Sequence, residues 1–474
     1  PKCHVDMDIL WVSHFDVPLH STPIISDIDR DGAKEIVATT LDHFVYVLDG
    51  ERGNVRPGWP FAFEDSSFLG SPLLFDLDKD GKEEIVVTTK EAEIVFLATN
   101  GKIASPGSTL RVPPLRVPKD WHEGLEGQDI ESALFFYLEN SEQARQKEKE
   151  RKKENNKKKG VGGNEKKIFE DSIKTFSNEA INSLDLFASP SLALYSSLSH
   201  SQENHADPLY SKQFYKYLNE ELEKYNQEDK GLHTFIDPHI LSTPVITDLE
   251  NDGTKELIVS VSYYFESGSL RDNATNIHKY VASSVVVFDL DEMEIKWTGR
   301  LSLTTDDVTN RAYVTSSPTV VDLDGDKKME ILVSSGIGHM YVFTHNGVVW
   351  SEPTFPLDFM EKYEGKEKQD FPLSMDSIWI RPVTADLTED GYPEIILMDS
   401  NSNVACFSAA GHEIWTNRIS GAPDEEAIIV DVDGDGDLDV VVGTNAGHIW
   451  ALDGKTGEIL EKFPIRLGGR VMGK

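Results

Sequence analysis

Residues 427–467 read AIIVDVDGDGDLDVVVGTNAGHIWALDGKTGEILEKFPIRL. A β-branched run leads into an acidic loop, and a second β-branched run leads out of it. A short Gly turn opens a third run, and the turn Asp453-Gly454-Lys455-Thr456-Gly457 opens a fourth. Runs of this kind bounded by Gly and Asp clusters predict strands. Four antiparallel strands in about 45 residues make one propeller blade. Residues 22–61, TPIISDIDRDGAKEIVATTLDHFVYVLDGERGNVRPGWPF, repeat the same order of parts.

The acidic loop is the most regular part of the repeat. It recurs at 27–35 (DIDRDGAKE), 76–84 (DLDKDGKEE), 248–256 (DLENDGTKE), 322–330 (DLDGDKKME), 386–394 (DLTEDGYPE) and 431–439 (DVDGDGDLD). Calcium takes six to eight oxygen ligands at roughly 2.3–2.6 Å. Carboxylates at positions one, three, five and nine of a tight loop, with the carbonyl at seven, supply such a shell. Position six turns sharply and suits Gly, which has no Cβ to clash at positive φ. An EF-hand starts alike but closes at position twelve between helices. Here the last acid comes at nine and the flanks are strands.

The predicted calcium ligands are therefore Asp27, Asp29, Asp31 and Glu35; Asp76, Asp78, Asp80 and Glu84; Asp248, Glu250, Asp252 and Glu256; Asp322, Asp324, Asp326 and Glu330; Asp386, Asp390 and Glu394; and Asp431, Asp433, Asp435 and Asp439. Loops one, two and six are complete. Loop three carries the longer Glu250 at its third position. Loop four has Lys327 where Gly is expected, which predicts a backbone that is mildly strained or differently turned. Loop five has Thr388 at position three and only three carboxylates, so it is the weakest of the set.

Composition fits this reading. The chain has 474 residues, 39% hydrophobic and 9% aromatic, with a formal charge of −36. The loop acids account for more than a quarter of the 82 Asp and Glu residues. So negative a surface repels phosphate backbones and argues against a nucleic-acid partner. Cys3 and Cys406 offer neither zinc spacing nor a disulfide framework. Cys406 lies in a strand-like, buried context. No stretch reaches the ~18 apolar residues that a membrane span needs. Asn273-Ala274-Thr275 is a glycosylation sequon. Calcium loops of modest affinity suit secretory or extracellular calcium levels better than cytosolic ones.

The spacing of the loops gives the domain plan. Loops one and two, and loops five and six, start one bare blade apart; the gap between 76 and 248 holds a large insertion. Residues 1–105 carry an N-terminal outer strand and blades one and two, 106–235 the insertion, and 236–474 blades three to six. Smaller insertions fall at 265–278 and 355–376. Within the large insertion, 143–167 is a Lys-rich low-complexity tract that cannot bury a core. Helical spacing predicts helices at 129–146 and 211–225. Residues 9–15 (ILWVSHF) resemble the fourth-strand segments 294–300 (EIKWTGR) and 413–418 (EIWTNR), so they read as an outer strand without a blade of its own. The expectation is an all-β propeller with six blades here and seven or eight in the full protein, its remaining strands lying beyond Lys474.

Repeats of this form resemble the FG-GAP/VCBS repeats of integrin α-subunit propellers. Further segments resemble the defective in exine formation protein family: SPLLFDLDKDG (71–81), VPKDWHEGL (117–125), STPVITDLENDG (242–253), VSYYF (261–265), ASSVVVFDLD (282–291), RAYVTSSPTVVDLDGD (311–326) and FPIRLGGRVM (463–472). The resemblance implies a calcium-binding propeller ectodomain at the plasma membrane's outer face or in the secretory pathway, anchored through a segment absent from this chain. In plants it implies a role in pollen-wall (exine) patterning. The corresponding function is a non-catalytic adhesion or scaffold module for an extracellular protein or polysaccharide. The alternative is a propeller enzyme, either a quinoprotein-like dehydrogenase or a calcium-dependent polysaccharide lyase, since 451–457 (ALDGKTG) resembles the quinoprotein repeat A-x-D-x-x-T-G. No G-x-S-x-G or P-loop occurs, and His14, His20, His339 and His448 are scattered near strands.

Overall fold

The computed structural model describes residues 8–19, 21–63, 66–104, 108–118, 233–265, 279–305, 308–350 and 355–471. Both predicted insertion helices, the Lys-rich tract, the sequon, Cys3, His20 and nearly all of 265–278 lie outside the described residues.

Each acidic loop closes a hairpin in one register. The residue before the loop pairs with the loop's ninth residue: Ser26 with Glu35, Phe75 with Glu84, Thr247 with Glu256, Val321 with Glu330, Ala385 with Glu394, and Val430 with Asp439. The ninth acid is thus the first residue of a blade's second strand, which aims its carboxylate back over the loop. A third and a fourth strand complete each sheet in meander order. Blade one is Ile24–Ser26, Glu35–Thr39, Phe44–Asp49 and Phe61–Ala62. Blade two is Leu73–Phe75, Glu84–Thr88, Glu93–Leu97 and Thr109–Arg111. Its last strand lies inside the stretch that the sequence assigns to the insertion. Blade three has Val245–Thr247, Glu256–Tyr264, Tyr280–Asp289 and Glu294–Thr305. Blade four is Thr319–Val321, Glu330–Ser335, His339–Phe343 and Leu373–Ser374. Blade five is Val383–Ala385, Glu394–Met398, Asn403–Phe407 and Glu413–Arg418. Blade six is Ile428–Val430, Asp439–Gly443, His448–Asp453 and Ile465–Arg466. The fold is an all-β propeller of four-stranded blades, as the repeat predicts.

The second and third strands are apolar on both faces because both faces are covered, so they read as continuous runs instead of alternating ones. The chain divides into two compact units, one holding blades one and two and the other nearly all of the described residues of blades three to six. In the first unit, Val37, Val45 and Val47 of blade one pack with Ile85, Val87 and Val95 of blade two. In the second, Val285, Val287 and Leu301 of blade three meet Ile331, Val333 and Phe343 of blade four. Further clusters join blade four to five and five to six. Cys406 is fully buried on a blade-five strand, and its thiol pKa is pushed up by that burial.

Indoles also fasten neighbouring blades within a unit. Trp297 Nε1 donates to the His345 carbonyl at 2.9 Å, and Trp415 Nε1 to that of Gly454 at 2.8 Å. Each ring lies on a turn glycine of positive φ, Gly347 or Gly457, where an added Cβ would stand 2.7 or 2.5 Å from indole carbon. The N-terminal segment corrects the sequence expectation in part. Residues 9–15 form no strand and pair with none among the described residues, but Trp11 makes the same contact. Its Nε1 donates to the Gly50 carbonyl at 3.0 Å, and its ring lies on Gly53. The side chain, not the backbone ladder, accounts for the likeness to fourth-strand segments.

Blade four carries the insertion predicted at 355–376. It forms a short helix, Leu357–Lys362, whose Phe359 and following Tyr363 are buried in the cluster between blades four and five. Among the described residues no helix is long and apolar enough to cross a membrane.

Candidate metal centres

All six loops are built on one hydrogen-bond template. The ninth carboxylate accepts from the N–H of position two: Ile28 at 3.1 Å, Leu77 at 2.8 Å, Leu249 at 2.9 Å, Leu323 at 2.9 Å, Leu387 at 2.7 Å and Val432 at 2.8 Å. The first Asp accepts from the N–H of position six: Gly32, Gly81, Gly253, Lys327, Gly391 and Gly436. The fifth-position Asp accepts from the N–H of position seven in every loop. Position six is left-handed throughout, and Lys327 adopts it at φ 71° as its sequence position requires. Position four is left-handed too, although the residues there are Arg30, Lys79, Asn251, Gly325, Glu389 and Gly434. That second twist has no single sequence signature, which is why the residue pattern hides it.

In four loops the acids at positions one, three and nine converge. Ligand atoms of Asp27, Asp29 and Glu35 lie within 4.8 Å of one another, as do those of Asp76, Asp78 and Glu84, of Asp322, Asp324 and Glu330, and of Asp431, Asp433 and Asp439. The fifth-position acids Asp31, Asp80, Asp326 and Asp435 stand outside these triplets, with one oxygen spent on the turn. The acids of loops three and five form no such triplet.

The loops then separate into two kinds. In loops two, four and six, no Lys or Arg among the described residues forms an ion pair with the predicted ligands. Burial raises the pKa of Glu84 and Asp439, and raises that of Glu330 to about 8, by desolvation of the anion; it raises those of Glu35 and Glu394 in loops one and five as well, so the ion pairs and not the titration separate the two kinds. Asp76 Oδ1 is buried without a hydrogen-bond partner. Buried anions and an orphaned acceptor aimed at one point are the donor set a hard cation takes, so these residues fit calcium.

Loops one, three and five each hold a basic side chain against those acids. Arg56 pairs through Nη2 with Asp29 at 2.6 Å and through Nη1 with Glu35. Lys296 Nζ lies 3.2 Å from Glu250 and 2.8 Å from Glu256. The ammonium loses hydration there, but its hydrogen bonds to Glu256 and Glu250 outweigh that loss and raise its pKa. Lys362 Nζ meets Thr388 Oγ1 at 2.8 Å and Asp390 at 2.9 Å. Tyr363 donates its hydroxyl to Asp390 at 3.0 Å and lies 3.3 Å from Glu394. Burial would raise the Asp390 pKa, yet the Lys362, Tyr392 and Tyr363 hydrogen bonds hold it low. The fit to a metal is poor in loops three and five, and in loop one Arg56 stands on the converged acids.

Reading each loop alone missed these cations because they lie far away in sequence. Arg56 follows Val55, which bridges to Leu48; Ala104, Trp350 and Leu460 follow the corresponding bridge residues Ile103, Val349 and Ile459 in blades two, four and six. Lys296 follows Ile295 at the same step past its turn. Aligning the repeats shows Arg or Lys at that position in blades one and three and an apolar residue in the others. Loop five receives its cation from the blade-four insertion instead.

The 453–457 turn is spent on packing. Asp453 accepts from Thr456 N at 2.7 Å and Thr456 Oγ1 at 2.8 Å, and Gly457 seats Trp415.

Residues 27–87 match the FG-GAP-like repeat family, a stretch that includes the first two loops. No curated protein matches the chain. Among solved structures, BamB from Moraxella catarrhalis has a TM-score of 0.45 at 12% identity, over 97% of this chain and 80% of that one. The quinohemoprotein alcohol dehydrogenase of Comamonas testosteroni has 0.46 at 12%, over 92% and 58%. BBS1N in complex with ARL6DN has 0.42 at 10%, over 94% and 83%. Likenesses of this size carry no argument about ligand or chemistry.

Proposed function

We propose that this chain is a non-catalytic binding module whose open acidic loops take calcium. The observation that carries the reading is the convergence of three carboxylates in each of loops two, four and six, with no Lys or Arg of the described residues ion-paired to them. Asp76, Asp78 and Glu84, then Asp322, Asp324 and Glu330, then Asp431, Asp433 and Asp439 would hold the ion. A bound Ca²⁺ would tie the first two strands of a blade together through the loop and stabilise the fold by linkage. Melting the purified chain in calcium and in EGTA tests this, and an unchanged melting temperature rejects it.

The module's place, in this proposal, is the cell surface or the secretory pathway, where calcium levels fill loops of modest affinity. Its ligand is an extracellular protein or polysaccharide, displayed to it as an adhesion or scaffold partner. Capture of such a ligand by the intact chain should be lost in EGTA; capture that survives chelation removes the link between metal and adhesion. The exine role of the similar plant family belongs to the proposal only for a plant source, and a knockout with a normal pollen wall would remove it.

A further inference from the structure

The geometry points to Arg56, Lys296 and Lys362 as built-in cations that occupy the metal position of loops one, three and five, so that this chain holds three of its six hairpins with its own side chains and leaves three for metal. The inference rests on the calcium reading for the open loops, but it concerns the closed ones, and no metal is needed for the contacts that carry it.

Two of the three cations sit alike, and the third reaches its loop by a different route. Arg56 and Lys296 each span the third and ninth positions of their loop, Asp29 with Glu35 and Glu250 with Glu256. These are two of the three positions that converge in the open loops. Lys362 arrives from a different element and bridges the third and fifth positions, while the Tyr363 hydroxyl covers the side facing Glu394. The ninth acids Glu35, Glu256 and Glu394 are 1%, 0% and 1% exposed, so each is a buried charge that needs a partner. A single positive charge among these acids satisfies them without a metal and repels a second cation.

One register position accounts for the difference between blades one and three and the open ones. Where Arg56 and Lys296 reach the acids, blades two, four and six carry Ala104, Trp350 and Leu460, which cannot supply a charge. Loop quality does not explain it, because loop one has the full set of acids and still holds Arg56.

The test counts calcium bound per chain after equilibrium dialysis. Parent protein should hold three ions. Lys296→Met should hold four, because loop three is freed, and Lys296→Arg should stay at three. The reciprocal change Leu460→Lys puts an ammonium at the same step in blade six and should lower the count to two; Leu460 is only half-buried, so this variant keeps the question answerable if Lys296→Met fails to fold. A parent count of six overturns the inference, as does a Lys296→Met or Leu460→Lys protein whose count equals the parent's. A parent that binds none sinks the calcium reading by itself, and Lys296→Met binding none as well then sinks this one.

Discussion

Loops three and four sit on adjacent blades of one compact unit and invert the order that their sequences suggest. DLENDGTKE keeps Gly at the turn and a complete set of acids, whereas DLDGDKKME puts Lys327 there. Read alone, loop three is the better calcium site. In the structure Lys296 pairs with the acids of loop three, and loop four holds Asp322, Asp324 and Glu330 together with no Lys or Arg of the described residues paired to them. The difference lies about forty residues past the loop in blade three and about twenty in blade four, at the step where Lys296 is replaced by Trp350. On the proposed reading, competence for metal is decided by which side chain stands one step past the turn that follows the third strand, or, in loop five, by the blade-four insertion. The turn residue changes only the cost of folding it.

The strongest way to break this comparison is to remove calcium. Each filled site contributes about 2.7 kcal/mol at a hundredfold excess over Kd, so three sites contribute about 8 kcal/mol, all of it lost in EGTA. Calorimetry with and without chelator measures it. A loss about twice as large would mean that the closed loops bind as well, and the contrast between loops three and four would vanish.

That prediction also shows how far the sequence could be read. The repeat, the strand order and the six loops were legible because they depend on local patterns: β-branched runs, an acid at every second position, Gly at the turn. The sheets and registers followed from these. What was not legible is non-local. Lys296 looks like an ordinary strand residue before Trp297, and Lys362 lies in an insertion that the repeat does not contain. The N-terminal segment failed for a related reason: its likeness to 294–300 and 413–418 comes from one indole that docks, and one side chain does not make a hydrogen-bonded strand.

Lys296→Ala is the next largest effect and applies to loop three alone. Breaking a fully buried pair costs 3–5 kcal/mol; the Lys296 side chain is 25% exposed, so the expected loss in EGTA is about 2 kcal/mol. In calcium an ion can replace the lost ammonium, and most of that loss should be recovered. Equal destabilisation in both buffers would show that loop three cannot become a metal site.

Trp297→Ala provides the control one residue away. The indole packs on Gly347 and donates its N–H to the His345 carbonyl, not to a loop acid. Deleting a half-buried Trp should cost about 2 kcal/mol, with the same value in calcium and in EGTA. Denaturant melts of the two neighbouring variants therefore separate the charge from the packing, and a calcium-dependent Trp297→Ala effect would mean that inter-blade packing and metal binding are coupled.

The smallest effect concerns the turn. Lys327 holds φ 71° where five sister loops have Gly at φ 87° to 98°. A side chain in that region costs about 1–2 kcal/mol, while Gly gives back about 0.5–1 kcal/mol through the freedom of the unfolded chain. Lys327→Gly should therefore stabilise the protein by about 0.5 kcal/mol, measured as a shift in the denaturation midpoint. Its calcium count should not change, because Lys327 lends the site only its N–H, donated to Asp322 at 2.9 Å, and Gly keeps that donor. A gain or loss of an ion in this variant would return the choice of site to the loop sequence and away from the distant cation.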